Sequence, residues 1–249
     1  MSTRPPDWQL PRGVTPGLWE YLHEPQVANQ YLEHVESSPF ALADQRFVEQ
    51  QLTTPCKVID LGCGPGRSIL PLARRGFKCT GVDLSETMLE KARQRLTEHS
   101  LDATCVQANL GEALPFADAS FDAALCLFGT LGMLHPADVR SSLLSEVHRI
   151  LIPQGVLLLH VHNRWPLQGI KTLYSQNAVM TLPFHRGVSN LQMKLFTVPE
   201  IKDTLAYAGF VFDTLEYISA SDPHGRYTGQ RWLAPYRADG FLLAARSKS

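Results

Sequence analysis

Two hydrophobic patterns alternate along the chain from residue 57 onward. Short apolar runs, such as Val58 and Ile59, have the composition of buried parallel strands, whereas Ile69, Leu70 and Ala73 recur with the spacing of one helical face. Strands that alternate with helices predict an α/β fold, in which a doubly wound, mostly parallel sheet carries helices on both faces.

The same alternation continues to the end of the chain. Ser85 is a good N-cap for a helix with Met88 on its buried stripe, and Thr197 with Glu200 has the form of a capping box. A further helix is expected after Pro136. The expected later strands are at residues 103–107, 120–128, 156–161, 210–219 and 241–246.

The pattern divides the chain into two parts at about residue 52. Residues 1–18 are rich in proline and glycine and predict an extended, partly mobile arm with Trp8 and Leu10 as candidate anchors; two helical patterns follow before residue 52. Residues 53–249 form the predicted main domain, with an irregular insertion at about residues 162–198. A length of 249 residues is compatible with one such domain plus additions.

Composition and charge disfavour several classes of partner. The net charge of −1 gives no global attraction to nucleic acid or anionic lipid. The N-terminus lacks the apolar core of a signal peptide, and no apolar run approaches the roughly 20 residues of a membrane span, so we expect a cytoplasmic protein. The five cysteines show neither a C-x-x-C pair nor zinc-ligand spacing, which predicts small buried hydrophobes without metal or disulfide.

A glycine-rich turn, Gly62-Cys63-Gly64-Pro65-Gly66, separates the first strand from the first helix. Glycines let the backbone turn sharply and approach a ligand, and the free N–H groups of the helix that follows favour a negatively charged or polar group. Asp83 ends the second strand, where a carboxylate can accept hydrogen bonds from both hydroxyls of a ribose. The unit therefore predicts a site for an adenosine-containing ligand.

The glycine spacing separates two kinds of adenosine ligand. The dinucleotide fingerprint G-x-G-x-x-G needs a third glycine for close packing of helix on strand, but Arg67 stands there when counted from Gly62. The order is instead D-x-G-x-G-x-G, with Asp60 two residues before Gly62. At these residues the chain resembles the class I S-adenosylmethionine-dependent methyltransferases. A nicotinamide oxidoreductase is an alternative that Arg67 weakens.

The resemblance covers residues 55–163 and implies S-adenosyl-L-methionine as the cofactor. It implies a seven-stranded sheet whose last strand is antiparallel, and it places Met88 against the adenine ring. Asn109 stands where the family commonly has Asp, and its amide oxygen can still accept a hydrogen bond from the adenine amino group. The expected cofactor-binding residues are Asp60, Gly62, Gly64, Gly66, Asp83, Leu84, Met88, Asn109, Leu110, Leu127 and Phe128.

The resemblance also implies where the methyl acceptor binds. In this family, helices before the first strand cap the pocket, and the insertion is expected to overhang the transferred methyl group beyond the strand ends. The expected acceptor-side residues are Trp19, Tyr21, Asn163, Trp165 and Tyr174.

Three histidines are candidate bases. Methyl transfer from a sulfonium is an in-line displacement that needs alignment and exclusion of water, and it needs a base only when the nucleophile carries a proton. His135 follows the fourth strand, and His160 and His162 share one side at the end of the fifth. Taken singly, each fits a structural or solvent-exposed position better than a catalytic one.

These features predict a methyltransferase that acts on an oxygen, nitrogen or carbon atom of a small-molecule acceptor. Residues 127–130 read Leu-Phe-Gly-Thr rather than Asn-Pro-Pro-aromatic, which disfavours amino-methylation of adenine or glutamine. A tRNA or protein methyltransferase is an alternative that would need a basic face. Its evident material is Arg164, Lys171, Arg186 and Lys194. A non-catalytic S-adenosylmethionine-binding partner protein is the alternative from another class.

Overall fold

The computed structural model describes residues 5–24, 35–165, 179–182 and 191–248. The strands are β1 (Lys57–Leu61), β2 (Lys78–Asp83), β3 (Ala103–Gln107), β4 (Phe121–Cys126), β5 (Leu151–His162), β6 (Val179–Leu182), β7 (Leu191–Lys194), β8 (Phe210–Ile218) and β9 (Gly240–Ser247). The α-helices are α1 (Pro16–His23), α2 (Pro39–Gln51), α3 (Ile69–Arg74), α4 (Glu86–Glu98), α5 (Thr130–Met133), α6 (Ala137–Ile150), α7 (Val198–Tyr207) and α8 (Ala234–Arg237).

Seven strands form one sheet in the order β3-β2-β1-β4-β5-β9-β8. Neighbouring strands from β3 to β5 are parallel, and β9 runs antiparallel to both β5 and β8. The sequence prediction of a mostly parallel seven-stranded sheet with an antiparallel last strand is confirmed. The strand order reverses direction between β1 and β4, so the crevice of this α/β sheet lies at their carboxyl ends.

Apolar side chains cover both faces of the sheet. On one face α6 and α7 pack Leu143, Leu144 and Ile201 in a cluster with β-strand residues. On the other face α2 contributes Phe47 and α3 contributes Leu72 to a second cluster. Because both faces are buried by helices, the strands carry continuous apolar runs, as the hydrophobic pattern predicted.

The N-terminal segment differs from the predicted arm. The Thr15 side chain accepts a hydrogen bond from the N–H of Leu18 at 3.2 Å, and Pro16 occupies the first turn, so a helix begins inside the stretch expected to be extended. Trp8 is 79% exposed and does not anchor the segment. Val14 and Leu18 are buried instead and hold it on the domain.

The start of β5 also differs from its prediction. β5 begins at Leu151 rather than near residue 156, with a register shift against β4 between Phe121 and Ala123. Gln154 takes a left-handed backbone conformation (φ 65°) within this irregular stretch. Among the described helices, none has the length and apolar composition needed to span a membrane.

Candidate functional site

The glycine-rich turn is held at the carboxyl ends of β1 and β2 by backbone hydrogen bonds. The N–H groups of Gly62 and Cys63 donate to the carbonyl of Val82 at 2.8 and 3.0 Å. Gly62 has a φ of +76°, and a Cβ on it would lie 2.7 Å from Cγ2 of Thr130. Only glycine can take this backbone conformation so close to the start of α5.

Asp83 links the turn to the next helix. Its Oδ2 accepts a hydrogen bond from the N–H of Gly64 and its Oδ1 accepts one from the N–H of Ser85, both at 2.9 Å. Burial raises the pKa of Asp83, while N–H groups of Ser85, Gly64 and Leu84 act in the opposite direction. The carboxylate is therefore fixed in orientation beside the turn.

The turn and the strand ends enclose a cleft that brings together nearly all the predicted cofactor-binding residues. It is lined by Val14, Leu18, Tyr21, Leu22, Asp60, Gly62, Cys63, Gly64, Arg67, Ser68, Asp83, Leu84, Met88, Asn109, Leu110, Leu127, Phe128, Thr130, Met133 and Leu134. Gly66 is the predicted residue that is missing from the lining. A Cβ on Gly66 would lie 2.6 Å from Cδ1 of Leu70 and 3.4 Å from Cβ of Ala92, so Gly66 serves close packing of the turn on α3 and α4.

Asp60 brings an unusual carboxyl group to the cleft. It is only 3% exposed. Burial raises its pKa to about 7, with the Arg67 charge lowering it and the charges of Asp83 and Asp44 raising it. A carboxyl group with this pKa is half ionised near neutrality, so a nearby cation changes its charge.

Asn109 ties the N-terminal segment to the cleft. Its Nδ2 donates to the carbonyl of Arg12 at 3.0 Å, and its Oδ1 accepts a hydrogen bond from the N–H of Gly111 at 2.9 Å. The side chain of Arg12 also donates to the carbonyl of Gly111 at 3.1 Å. One lone pair of Oδ1 is thus already used, and the segment lies directly on the loop after β3.

We expect Gly111→Ala to lift the N-terminal segment from the cleft. A Cβ at residue 111 would lie 2.1 Å from the carbonyl oxygen of Arg12, a contact that only backbone movement relieves. The affinity for S-adenosylhomocysteine should fall about tenfold, because the lining from Val14 to Leu22 is displaced. Limited trypsin digestion should cleave faster after Arg12, whereas Ala113→Ser, an exposed neighbour, should match the wild type in both measurements.

Helix α1 covers the cleft. Ser85 Oγ donates to the carbonyl of Leu22 at 2.7 Å, which fixes the end of α1 over the start of α4. Tyr21, an expected acceptor-side residue, lines the cleft. Trp19 does not line it and stacks on His23 with ring centroids 3.8 Å apart.

The three candidate bases have different surroundings. His160 is fully buried, and its Nδ1 lies 2.7 Å from Oδ1 of Asp44. Burial, with a smaller effect of His160, lowers the pKa of His162 to about 3. Burial, with the nearby Arg140 charge, lowers the pKa of His135. None of the three is part of the cleft lining formed by the described residues, so their catalytic roles remain predictions.

Two of the expected acceptor-side residues, Asn163 and Trp165, lie just beyond the end of β5. Asn163 is buried; its Nδ2 donates to the carbonyls of Pro235 and Ala238 at 3.0 and 2.7 Å, and its Oδ1 accepts from the N–H of Trp165 at 3.3 Å. These contacts hold α8 beside the end of the sheet. Tyr174 lies outside the described residues.

Sequence reasoning missed two charged residues beside the cleft. Arg67 entered only as a departure from the dinucleotide fingerprint, yet it lines the cleft and donates to Oδ2 of Asp44 at 2.8 Å. Asp44 is fully buried on α2. Its place on the apolar stripe that includes Ala41 and Phe47 was a signal in the sequence, because an acid at a helical core position requires partners.

The described residues contain no group of three or more His, Cys, Asp or Glu side chains placed to hold a metal ion. The fold is the Rossmann-like methyltransferase fold, and its cleft lies at the carboxyl ends of the parallel strands. The match to a family model then gives the class: residues 58–155 match the model described as a methyltransferase domain. These residues carry a methyltransferase domain.

Individual relatives agree with this class. A putative methyltransferase of Bacillus subtilis is 32% identical over 56% of this chain and 56% of its own length. A ubiquinone biosynthesis O-methyltransferase of Psychrobacter arcticus is 27% identical over 92% of this chain and 86% of its own length. The chain spans about half the length of the curated relatives that it matches first.

A solved structure supports the fold. The 1,6-didemethyltoxoflavin-N1-methyltransferase of Burkholderia thailandensis, with bound 1,6-didemethyltoxoflavin and S-adenosylhomocysteine, has a TM-score of 0.65. It is 19% identical and covers 95% of this chain and 92% of its own. At this identity the likeness concerns the fold.

Proposed function

We propose that the protein transfers the methyl group of S-adenosyl-L-methionine to an oxygen, nitrogen or carbon atom of a small-molecule acceptor. The observation that carries the proposal is the covered cleft. Two buried carboxyl groups, Asp60 and Asp83, face a lining that is mostly apolar and lies under α1. Such a cleft binds a compact, polar cofactor with an apolar neighbour and keeps water away.

The residues of the cleft fit the cofactor. Asp83, fixed by the N–H groups of Gly64 and Ser85, has lone pairs left for the two ribose hydroxyls. Asp60 lines the cleft and has no hydrogen-bond or ion-pair partner among the described residues, which supports a role for its carboxylate in binding the ammonium of the methionine part. Met88 and Leu110 supply apolar surface for adenine, and the second lone pair of Asn109 Oδ1 can accept from its amino group.

The protein contributes alignment rather than new chemistry. When bound, the cofactor supplies an activated methyl group on a sulfonium. The chain orients it through Asp60 and Asp83 and covers it with α1, which excludes water from the reacting atoms. Phe128, two residues after the end of β4, lines the cleft with an apolar ring.

The way in which α1 and the segment before it cover the cleft supports a small acceptor. Residues Val14 to Leu22 lie over the turn, so an acceptor has to enter a partly enclosed space. The ubiquinone-pathway relative and the toxoflavin-pathway neighbour are named for small molecules, which supports the same class here. A tRNA or protein acceptor would need a basic face. Of the basic residues that could form it, Lys194 makes an ion pair with Glu200 at 2.5 Å, and Lys171 and Arg186 lie outside the described residues.

The test begins with calorimetric titration of the protein with S-adenosylmethionine, S-adenosylhomocysteine and NADH. We expect S-adenosylmethionine and S-adenosylhomocysteine to bind with micromolar dissociation constants, and we expect NADH not to bind. A panel of phenols, amines and carbon acids is then screened for formation of S-adenosylhomocysteine. Turnover only with tRNA or protein would contradict the acceptor class, and binding without turnover on any acceptor would favour a non-catalytic partner protein.

Binding of S-adenosylhomocysteine should release protons near pH 7. The pKa of Asp60 is about 7 in the free protein, and a ligand ammonium beside it favours the ionised carboxylate. The dissociation constant should therefore fall about tenfold from pH 6 to pH 8. Calorimetry in two buffers of different ionisation enthalpy measures the released proton, and Asp60→Asn should abolish both effects.

A further inference from the structure

A chain of polar side chains leads from the cleft to the end of β5. Arg67 lines the cleft and donates to Oδ2 of Asp44 at 2.8 Å, and Oδ1 of Asp44 lies 2.7 Å from Nδ1 of His160. Asp44 and His160 are both fully buried. Breaking a pair this deep leaves an uncompensated charge, so these contacts fix the orientation of the His160 ring.

The charge on Asp44 sets the position of the His160 proton. Burial by itself would raise the pKa of Asp44, but the neighbouring His160 and Arg67 outweigh it and lower the pKa below its ordinary value. An ionised carboxylate only accepts hydrogen bonds. A neutral His160 ring beside this carboxylate carries its proton at Nδ1, which leaves a bare lone pair at Nε2.

Two neighbouring imidazole rings each have a buried nitrogen that lacks a partner among the described residues. Nε2 of His160 and Nδ1 of His162 are buried without a hydrogen-bond partner among the described residues. The two side chains lie on one side of β5, with ring centroids 4.9 Å apart and an interplanar angle of 61°. Phe40 packs against both rings, at 5.6 and 5.3 Å.

The two unpaired nitrogens are complementary. One is a bare acceptor and the other can carry a proton, and burial of either nitrogen without a partner costs free energy. A ring rotation that brings Nε2 of His160 to Nδ1 of His162 joins them in a hydrogen bond. His162 then has its proton at Nδ1 and a bare Nε2.

We propose that Asp44, His160 and His162 form one hydrogen-bonded chain that presents the bare Nε2 of His162 to the acceptor. A Cβ on Gly129 would lie 3.0 Å from this nitrogen. Gly129 directly follows Phe128, which lines the cleft. The inference rests on the proposed function: His162 is the proton acceptor for a hydroxyl or amine substrate, and Asp44 and His160 are positioning residues.

The transfer balances with this assignment. As the O–H or N–H bond of the acceptor breaks, its proton goes to Nε2 of His162 and its electron pair forms the bond to the methyl carbon. The electron pair of the broken carbon–sulfur bond stays on sulfur. His162 is neutral before this step because its surroundings disfavour the charged ring.

The test is the tautomer of His162, read by long-range ¹H–¹⁵N NMR of the 249-residue chain labelled at histidine. In the wild type both His160 and His162 should carry the proton at Nδ1, whereas a free imidazole side chain prefers Nε2. A wild-type His162 with its proton at Nε2 overturns the proposal, whether or not any variant folds.

Asp44→Asn should reverse the donor–acceptor direction of the hydrogen bonds from residue 44 through His160 to His162. Arg67 still donates to residue 44, so the amide oxygen faces Arg67 and the amide NH₂ faces Nδ1 of His160. His160 must then move its proton to Nε2 and donate to His162, which moves its own proton to Nε2. If His162 keeps its tautomer in this folded variant, the chain does not exist. Asp213→Asn, at an exposed carboxylate paired with Arg246, should leave both tautomers unchanged.

A second readout follows the reaction. With an acceptor from the screen, Asp44→Asn should lower kcat about 100-fold and leave the S-adenosylhomocysteine affinity within twofold of the wild type. A loss confined to KM would contradict a positioning role. If no acceptor is found, the proposed function fails while the tautomers still decide whether the chain exists.

Discussion

Asp83→Asn is expected to weaken the binding of S-adenosylhomocysteine about 100-fold. The proposed ribose contacts are charge-assisted hydrogen bonds worth about 1.5–3 kcal/mol each, and 1.4 kcal/mol corresponds to a factor of ten. An amide has one oxygen, and the structure already uses both carboxylate oxygens of Asp83 for the N–H groups of Gly64 and Ser85. The variant therefore loses both the charge and an acceptor. Calorimetry measures the affinity directly.

The same variant also tests how the turn is held. An NH₂ group facing the N–H of Gly64 or Ser85 replaces an attraction by a repulsion, so the free energy of unfolding should fall by about 1–3 kcal/mol. The two backbone contacts of Asp83 make the stability of the fold depend on its carboxylate. The control is Asp213→Asn, which changes an exposed carboxylate and should leave the affinity and the stability close to those of the wild type. Unchanged affinity in Asp83→Asn would remove the ribose assignment.

Much of the cofactor side was predictable because its chemistry is local in sequence. Gly62, Gly64 and Asp83 lie within one βαβ unit, where turn geometry and strand ends bring the residues together without help from the rest of the chain. The capping box of Thr197 and Glu200 was predictable for the same reason, and the structure contains it. Local patterns specify local structure.

The missed features depend on contacts between distant parts of the chain. His160 pairs with Asp44 from a helix 116 residues earlier, and Asn109 holds Arg12 across 97 residues. No periodicity encodes which buried acid meets which histidine, since that depends on how α2 packs on the sheet. Helix α1 was missed because the proline and glycine at residues 16 and 17 read as breakers, although proline favours a first turn.

Asp60→Asn should stabilise the free protein while it weakens cofactor binding. The pKa of Asp60 is about 7 in the folded protein and about 3.9 in an unfolded chain. As pH rises from 4 to 7, the unfolded chain loses this proton first, so the group lowers stability increasingly, and the penalty is fully present above pH 7. Three pH units correspond to about 4 kcal/mol, of which burial of the new amide offsets part.

We therefore expect the variant to gain about 2 kcal/mol in the free energy of unfolding at pH 8 and little at pH 4, measured by urea denaturation. The exposed Asp102→Asn should show no such gain. S-adenosylhomocysteine affinity at pH 8 should fall at least tenfold, because the proposed partner of its ammonium is gone. A variant that is less stable at pH 8 would mean that the carboxylate is held by attractive contacts. A carboxyl group that costs stability in the free protein and contributes to cofactor binding is the pattern expected at a functional site.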